Sequence, residues 1–368
     1  MSQVSARPLG SKTYGRLPLS FSPAPLDADK CTSLEWLSVA LSQGLGRPVR
    51  LTGREILESK GPSALKIRMR VETEGDRGDL PEQVCLKGVF DPELSTWLKS
   101  GAQQAEAFFY RDIASRLSVR VPRCFYAGYD GKTGAGHIIM EDLVPQGVTF
   151  LSAISPYSVE QMRGSLDQLA RLHGGTWNAD PAAQPWVRSK LAQFADGSIM
   201  PPEALGALMA DGRAEGLPDR LRDGTAIFDA LRALSDREAD LPLGFIHGDC
   251  HAGNVFEGPE GIGLIDWQVL QRGHWSLDVA YHIAAALEIA DRREHERDLL
   301  RHYCDRLAQH GGEPLDFEAA FAAYRAAFPY GLLLWGITRR VEPAIVHRFV
   351  QRLGTAAADH DSLGLLGV

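Results

Sequence analysis

The hydrophobic pattern of the chain changes near residue 145, and this change limits the possible folds more than any other feature of the sequence. Before that point apolar and polar residues alternate, as from Leu65 to Val71, which is the period of a half-buried strand. After it the apolar residues recur at helical spacing. The sequence therefore predicts an α+β fold in which a strand-rich part precedes a mainly helical part.

The strand-rich part is predicted to have the element order β-β-β-α-β-β. Its first two strands form a hairpin across the turn-forming sequence Lys60-Gly61-Pro62-Ser63. A third strand precedes a helix predicted over residues 102–117, and a second hairpin follows that helix. The predicted strands cover residues 55–59, 65–71, 84–90, 126–129 and 137–140.

The helical part begins with a clear start signal, because Ser158-x-x-Gln161 forms a capping box. That helix is predicted to stop at Gly174-Gly175. Further helices are predicted around residues 202–211, 217–238, 278–309, 316–337 and 341–358. The predicted organisation is a loosely held N-terminal arm at residues 1–30, a strand-rich domain at 31–143 and a helical domain at 144–368.

Composition excludes several classes of function. The 368 residues include 39 Lys and Arg against 47 Asp and Glu, a net charge of -8, which is not the basic footprint of a nucleic-acid-binding protein. The five cysteines are widely spaced without a CxxC pair, which argues against a disulfide or zinc framework. The longest apolar stretches are shorter than the roughly 20 residues that cross a bilayer. We therefore predict a cytoplasmic protein without a nucleic-acid partner or a membrane span.

Two short motifs in the second half carry the most chemical information. His247 lies two residues before Asp249, and Asn254 lies five residues after it, which is the H-x-D-x-x-x-x-N spacing of a kinase catalytic loop. Asp266 follows the apolar sequence Gly263-Leu264-Ile265, as a metal-binding aspartate does in kinases. Three independent spacings therefore agree with phosphoryl transfer.

The residue types fit that reaction. Transfer of a γ-phosphoryl group needs a carboxylate that orients the acceptor hydroxyl and takes its proton, and oxygen ligands that hold Mg²⁺ against the phosphates. Asp249 suits the first role as the catalytic residue. Asn254 and Asp266 suit the second role as metal ligands.

The chain resembles the aminoglycoside phosphotransferase and choline kinase superfamily of small-molecule kinases, and within it the ecdysteroid-kinase-like, or CHK kinase-like, branch. The resemblance extends from Glu55 to Ala285. It rests on Glu141-Asp142-Leu143, on His247-Gly248-Asp249 with Asn254, and on Leu264-Ile265-Asp266-Trp267-Gln268 leading to Trp275-Ser276-Leu277-Asp278-Val279-Ala280-Tyr281. It implies a bilobal protein-kinase-like fold, with a small antiparallel-sheet lobe plus one helix and a larger, mainly helical lobe.

The resemblance also implies an ATP site in the strand-rich part. Lys87 would be the strand lysine that pairs with the α- and β-phosphates, and Glu106 its ion-pair partner on the following helix. The turn after the first strand would cover the phosphates through Ser59, Gly61 and Ser63. Lys87, Asp249, Asn254 and Asp266 are therefore expected to converge on one cleft that binds a triphosphate and its divalent ion.

Residues 137–143 would form the last strand and the hinge. In this superfamily the hinge backbone reads the adenine edge, which implies the carbonyl of Glu141 and the amide of Leu143, with Met140 beside the base. His247 and Asp278 are expected to support the catalytic loop rather than contact substrate. Trp267, Gln268 and His274 follow the metal aspartate and are candidates for the substrate pocket.

The leading hypothesis is an ATP- and Mg²⁺-dependent kinase that acts on a hydroxyl of a small molecule. The aromatic residues of the helical part favour a bulky hydroxylated metabolite or steroid-like alcohol, and an aminoglycoside is the alternative acceptor. Two other classes remain open. One is a metal-dependent hydrolase built on His247, Asp249 and His251, and the other is a non-catalytic nucleotide-binding protein.

Overall fold

A computed structural model describes residues 21–61, 64–90 and 100–368, and divides the chain into two units. The first unit contains the chain up to Val148 together with Asp266–Val269. The second unit contains Thr149–Ile265 and Leu270–Val368. The division thus falls five residues beyond the predicted border at 143, and a short segment around Asp266 returns to the first unit.

The first unit is built on a five-stranded antiparallel sheet with the order β1-β2-β3-β5-β4. Its strands are β1 (Leu51–Lys60), β2 (Leu65–Thr73), β3 (Gln83–Gly88), β4 (Cys124–Asp130) and β5 (Ala135–Glu141). In this register Lys87 of the central strand β3 lies opposite Lys66 of β2 and Ile138 of β5. The five strands predicted from the sequence are all present.

The helix predicted at residues 102–117 has three consecutive parts. An α-helix (Ala102–Phe108) continues as a π-helical turn (Phe109–Ile113) and ends in a 3₁₀ turn (Ala114–Arg116). Single π turns inside helices are rare and occur frequently at functional sites. Here the turn begins directly after the segment that carries Glu106.

The predicted N-terminal arm is wrong for the described residues 21–30. Ala24 is fully buried, and the Tyr126 hydroxyl donates a hydrogen bond to the Pro23 carbonyl at 2.8 Å. Two helices that the sequence reading did not identify follow, Ala28–Cys31 and Leu34–Leu45. The second is capped by Ser33 and packs Trp36 into the sheet core. Residues 1–20 lie outside the described part of the chain.

The second unit is mainly helical. Its first long helix, Val159–Gly175, begins at the predicted capping box, with Ser158 and Gln161 bonded reciprocally. The helices that follow are Leu191–Ala195, Pro202–Leu208, Gly224–Arg237, Trp275–Ala286, Ile289–Gln309, Phe317–Ala326, Phe328–Gly336, Pro343–Asp359 and Ser362–Leu365. The two parts therefore have the predicted α+β organisation.

Short strands position the kinase-like motifs within the second unit. The strand Gly244–Ile246 pairs with Gln271–Gly273 and leads directly into His247. The strands Val255–Gly258 and Gly261–Leu264 form a hairpin. This hairpin begins at the residue after Asn254 and ends two residues before Asp266.

Among the described residues, no helix is both long and apolar enough to cross a membrane.

Candidate active site

Lys87 forms the centre of a buried charge cluster in the first unit. Its Nζ lies 2.8 Å from Glu106 Oε1 and 3.1 Å from Asp266 Oδ1. The Lys87 and Glu106 residues are each only 4% exposed. The central position of β3 and the helix that begins at Ala102 bring them together, so the ion pair expected from the sequence is present.

Two carboxylates keep the Lys87 ammonium charged. Burial alone lowers the pKa of a lysine, but Asp266 and Glu106 outweigh it and raise the Lys87 pKa above its ordinary value. Burial raises the pKa of Glu106, whereas the Lys87 charge acts in the opposite direction. The ionised form of Glu106 therefore depends on Lys87.

Asp266 reaches this cluster through a strained backbone. Its φ is +68°, a left-handed conformation that costs a non-glycine residue about 1–3 kcal/mol. The next residue fixes the bend, because the Trp267 amide donates to Glu106 Oε1 at 3.3 Å. The Trp267 ring also stacks on Phe109 of the π turn, with centroids 3.7 Å apart. Strain retained in this way is typical of a functional position.

The loop that contains Asp249 is anchored on a buried carboxylate in the second unit. Asp278 is fully buried and accepts hydrogen bonds from the amides of His247 at 2.6 Å and Gly248 at 2.8 Å. It also contacts His173 Nε2 at 3.1 Å. Burial would raise the Asp278 pKa, but these hydrogen bonds outweigh it and lower the pKa, so the carboxylate stays ionised.

His247 supports the same loop from the other side. Its Nε2 donates to the Ile265 carbonyl at 3.0 Å, and its Nδ1 accepts from the Asp249 amide at 3.3 Å. Both ring nitrogens of His247 therefore form hydrogen bonds with the backbone. The supporting position predicted for His247 and Asp278 agrees with these contacts.

Asp249 and Asn254 meet as their spacing predicts. Asn254 Nδ2 donates to the Asp249 carbonyl at 2.8 Å and approaches its Oδ2 at 3.4 Å. Within the described part of the chain, the amide oxygen Oδ1 of Asn254 receives no hydrogen bond. The bonds to Nδ2 therefore fix the amide and leave the better metal-ligating atom available.

Comparison with known proteins identifies the family of the chain. Residues 91–317 match the family model of the phosphotransferase enzyme family, which is more than half of the chain. The chain belongs to this phosphotransferase family. The matched segment includes Glu106, Asp249, Asn254 and Asp266, whereas Lys87 lies just before it. A search of curated proteins found no match.

Solved structures identify the fold of this family member. Choline kinase from Cryptosporidium parvum Iowa II aligns with a TM-score of 0.52 and 11% identity, covering 84% of this chain and 89% of that one. Ethanolamine kinase from Plasmodium vivax gives 0.47 and 14%, covering 91% and 86%. The GDP complex of aminoglycoside 2'-phosphotransferase-IIIa gives 0.47 and 13%, covering 89% and 99%. The predicted kinase-like α+β fold is confirmed.

The described residues among those proposed to bind the adenine base and to cover the phosphates belong to the first unit. Glu141 ends β5 and Met140 precedes it. The Leu143 amide donates no hydrogen bond to another described residue. Ser59 lies near the end of β1, and Gly61 follows that strand with φ +137°, a conformation that favours glycine. Ser63 lies outside the described residues.

The three candidates for the substrate pocket belong to two different units. Trp267 is fully buried and stacked on Phe109, so it packs in the core of the first unit. Gln268 is also buried and belongs to that unit. His274 belongs to the second unit, where it borders a cavity.

Sequence reasoning missed a chain of hydrogen bonds that ends on Asp249. The Trp335 indole donates to the Tyr281 hydroxyl at 2.6 Å, and this hydroxyl donates to Asp249 Oδ1 at 3.0 Å. Tyr281 lies three residues after Asp278 on one helix, a spacing that puts both on one face. That spacing could have identified Tyr281. Nothing local identifies Trp335, because it comes from a separate helix.

Replacing Tyr281 by phenylalanine removes the hydroxyl that holds Asp249. A hydrogen bond to a charged group contributes about 1.5–3 kcal/mol, so we expect Tyr281→Phe to lower kcat about tenfold or more. The KM for ATP should stay within about twofold, because Lys87 and Glu106 are untouched. Steady-state kinetics checks both values.

Tyr324→Phe is the matched control, since Tyr324 is also fully buried and donates to Glu296 instead. Equal kcat values for the two variants would contradict this role.

The metal-dependent hydrolase has no metal centre in the described part of the chain. Of the three residues proposed for it, His247 already uses both ring nitrogens. His251 Nδ1 accepts from the Gly253 amide at 3.0 Å. The described residues contain no group of three or more His, Cys, Asp and Glu arranged to hold a metal ion.

Proposed function

We propose that the protein is an ATP- and Mg²⁺-dependent kinase that transfers the γ-phosphoryl group to a hydroxyl of a small molecule. The observation that carries the proposal is the buried Lys87 ammonium, held between Glu106 and Asp266. A buried ion pair is weak evidence for a stabilising role, because the cost of desolvation offsets the attraction between the charges. Phosphoryl transfer uses such a charge to stabilise phosphate oxygens.

Asp249 is proposed to orient the acceptor hydroxyl and to take its proton. Its carboxylate is held by the Tyr281 hydroxyl at one oxygen and approached by Asn254 at the other. Such fixed orientation reduces the reorganisation needed when the proton moves. Asp278 acts indirectly, because it holds the backbone of the loop that contains Asp249.

The donor set fits a magnesium nucleotide. Mg²⁺ takes few protein ligands, prefers oxygen, and keeps several waters. Asn254 Oδ1 and the Asp266 carboxylate are the two ligands that we propose. Bound Mg-ATP supplies the phosphoryl group and the positive charge that neutralises the β- and γ-oxygens. Lys87 adds to that charge.

We propose that the hinge backbone binds the adenine base through the Glu141 carbonyl and the Leu143 amide, beside Met140. The Leu143 amide suits this role, because it has no hydrogen-bond acceptor among the described residues. Ser59, Gly61 and Ser63 are proposed to face the phosphates. Only proline removes a backbone N–H, and it also fixes φ, so nucleotide protection of the Leu143 amide from hydrogen exchange is the informative measurement.

For the acceptor, we propose a bulky hydroxylated metabolite or steroid-like alcohol, as in the ecdysteroid-kinase-like branch. Support comes from the aromatic rings near Asp249. Tyr281 contacts Asp249 directly, the Trp335 ring lies 5.1 Å from His251, and Phe349 lies 4.1 Å from Trp335. Aromatic faces suit an apolar ring system, whereas the several ammonium groups of an aminoglycoside call for carboxylates.

An ATP-consumption screen tests the function. The panel contains hydroxylated metabolites, steroids and antibiotics, with the Asp249→Ala variant as the blank. Turnover on a steroid-like alcohol supports the proposal, and turnover on aminoglycosides favours the alternative acceptor. Nucleotide-dependent stabilisation without turnover on the whole panel would support a non-catalytic binding protein. Stoichiometric zinc in the purified protein would instead favour the hydrolase.

A further inference from the structure

The second unit contains a cavity of about 430 Å³ that the proposed reaction does not use. Parts of the helices Gly224–Arg237, Trp275–Ala286 and Phe317–Ala326 form its wall. Of the thirteen lining residues, eight are leucine or alanine. Asp249, Asn254, Tyr281 and Trp335 are not among them. The cavity is therefore separate from the residues assigned to phosphoryl transfer.

Five of the lining residues are polar or charged, and the buried ones are Glu238, His274 and Ser276. His274 is only 6% exposed, and its Nδ1 lies 2.8 Å from the Ser276 hydroxyl. Among the described residues, that hydroxyl has no other partner, and when it donates to Nδ1 the proton of the neutral ring lies on Nε2. Nε2 has no partner among those residues either. It is the ring atom left to face the cavity.

His173 and Glu238 interact with the ring or the backbone of His274. Burial, and next the neighbouring His173, lower the pKa of His274 to about 3, so the ring is neutral at pH 7. Glu238 accepts from the Ser189 hydroxyl at 2.8 Å and from the His274 amide at 3.4 Å. Burial raises the pKa of Glu238. With its proton on Nε2, the ring therefore presents a neutral N–H donor, and the neighbouring Glu238 carboxyl group already accepts two hydrogen bonds.

The exposed part of the cavity wall is partly apolar. Leu241 and Leu365 line the cavity and are 39% and 36% exposed, and the exposed Asp240 lines it as well. The Arg237 guanidinium also lines the cavity and donates to the Leu365 carbonyl at 2.8 Å. An apolar molecule can therefore approach over leucine side chains before it meets the imidazole.

We propose that this cavity is a second ligand site, which binds a small uncharged molecule with an apolar body and one hydrogen-bond-accepting oxygen. The His274 Nε2–H group donates to that oxygen, and the leucine and alanine side chains enclose the body. Known small-molecule sites have volumes of about 300–1,000 Å³, with mostly apolar walls and a few fixed polar groups. The cavity matches both properties.

Two matched probes test the polar contact without any use of the kinase reaction. 4-Phenylbutan-2-one carries a ketone oxygen, and butylbenzene has a similar body without it. We expect the ketone to bind the wild-type protein about fivefold more tightly by protein-observed NMR titration, the effect of one neutral hydrogen bond. His274→Phe should abolish this preference while butylbenzene still binds. A ketone preference that persists in His274→Phe would overturn the proposal.

Two alanine-to-phenylalanine variants test where the probes bind. They keep the proposal testable even if the His274 variant does not fold. Ala323 lines the cavity on the helix Phe317–Ala326, whereas Ala319 is exposed on the same helix and does not line it. Ala323→Phe should weaken both probes at least tenfold, and Ala319→Phe should leave both affinities within twofold of wild type. Unchanged binding in Ala323→Phe, or no saturable binding of the ketone to wild-type protein, refutes the site.

Discussion

The Asp249→Ala variant should lose phosphoryl transfer while it still binds nucleotide. Asp249 is proposed to take the proton of the acceptor hydroxyl, and a positioned general base contributes about 10²–10⁴-fold to a rate. We therefore expect kcat to fall by that factor. ATP affinity should change less than about threefold, because the buried Lys87 cluster, which is proposed to bind the phosphates, is untouched. Single-turnover kinetics and calorimetric ATP titration measure the two quantities separately.

Two further variants make the Asp249 test specific. Asp249→Asn keeps the shape and the acceptor oxygen for the Tyr281 hydroxyl but removes the negative charge. It should be as inactive as Asp249→Ala, because a neutral amide does not accept the proton. Asp298→Ala removes an exposed aspartate that pairs with Arg301, and it should be fully active. Wild-type turnover in either Asp249 variant would remove this residue from the mechanism.

The part of the site that could be predicted from the sequence is the part held by short-range structure. Asp249 and Asn254 lie in one loop, so their spacing alone determines that Nδ2 can reach the Asp249 backbone. Lys87 and Glu106 are only nineteen residues apart, on the strand Gln83–Gly88 and the helix Ala102–Phe108. The contact of Tyr281 with Trp335 depends instead on how separate helices pack, which no local pattern encodes.

The segment at Asp266 shows a second limit. The apolar residues before Asp266 predict a strand, and the strand Gly261–Leu264 exists. The sequence did not indicate that the chain adopts φ +68° at Asp266 and joins the first unit there. That conformation is imposed by tertiary contacts of Trp267 with Glu106 and Phe109, which lie far away along the chain.

The N-terminal error has a different physical cause. Residues 1–25 are rich in Ser, Gly and Pro, a composition that is typical of loosely held segments. The described residues Phe21–Pro25 nevertheless pack on the sheet without forming helix or strand, with Trp36 Nε1 donating to the Ser22 carbonyl at 2.9 Å. Composition predicts the lack of regular structure there, but it does not predict burial.

Replacing Lys87 by methionine should have the largest combined effect on activity and stability. Methionine keeps most of the volume but leaves Glu106 and Asp266 without their counter-charge. Breaking a buried ion pair on one side costs about 3–5 kcal/mol of folding free energy. We expect Lys87→Met to lose phosphoryl transfer by at least about 10²-fold and to unfold at lower denaturant concentration. Lys66→Met is the control, because Lys66 lies opposite Lys87 in the sheet but is exposed.

The pH dependence of the Lys87→Met defect distinguishes a lost counter-charge from lost packing. Without Lys87, the already raised pKa of Glu106 rises further, since burial is no longer opposed. A carboxyl group whose pKa is raised on folding binds its proton more tightly in the folded protein than in the unfolded protein. Its contribution to stability is therefore present at low pH and is lost as the pH rises through the folded-state pKa. The stability deficit of Lys87→Met relative to wild type should therefore grow between pH 5 and pH 8.

The double variant Lys87→Met/Glu106→Gln should recover stability at pH 8 but remain inactive. A deficit that does not change with pH, or recovery of activity in the double variant, would show that Lys87 serves packing alone.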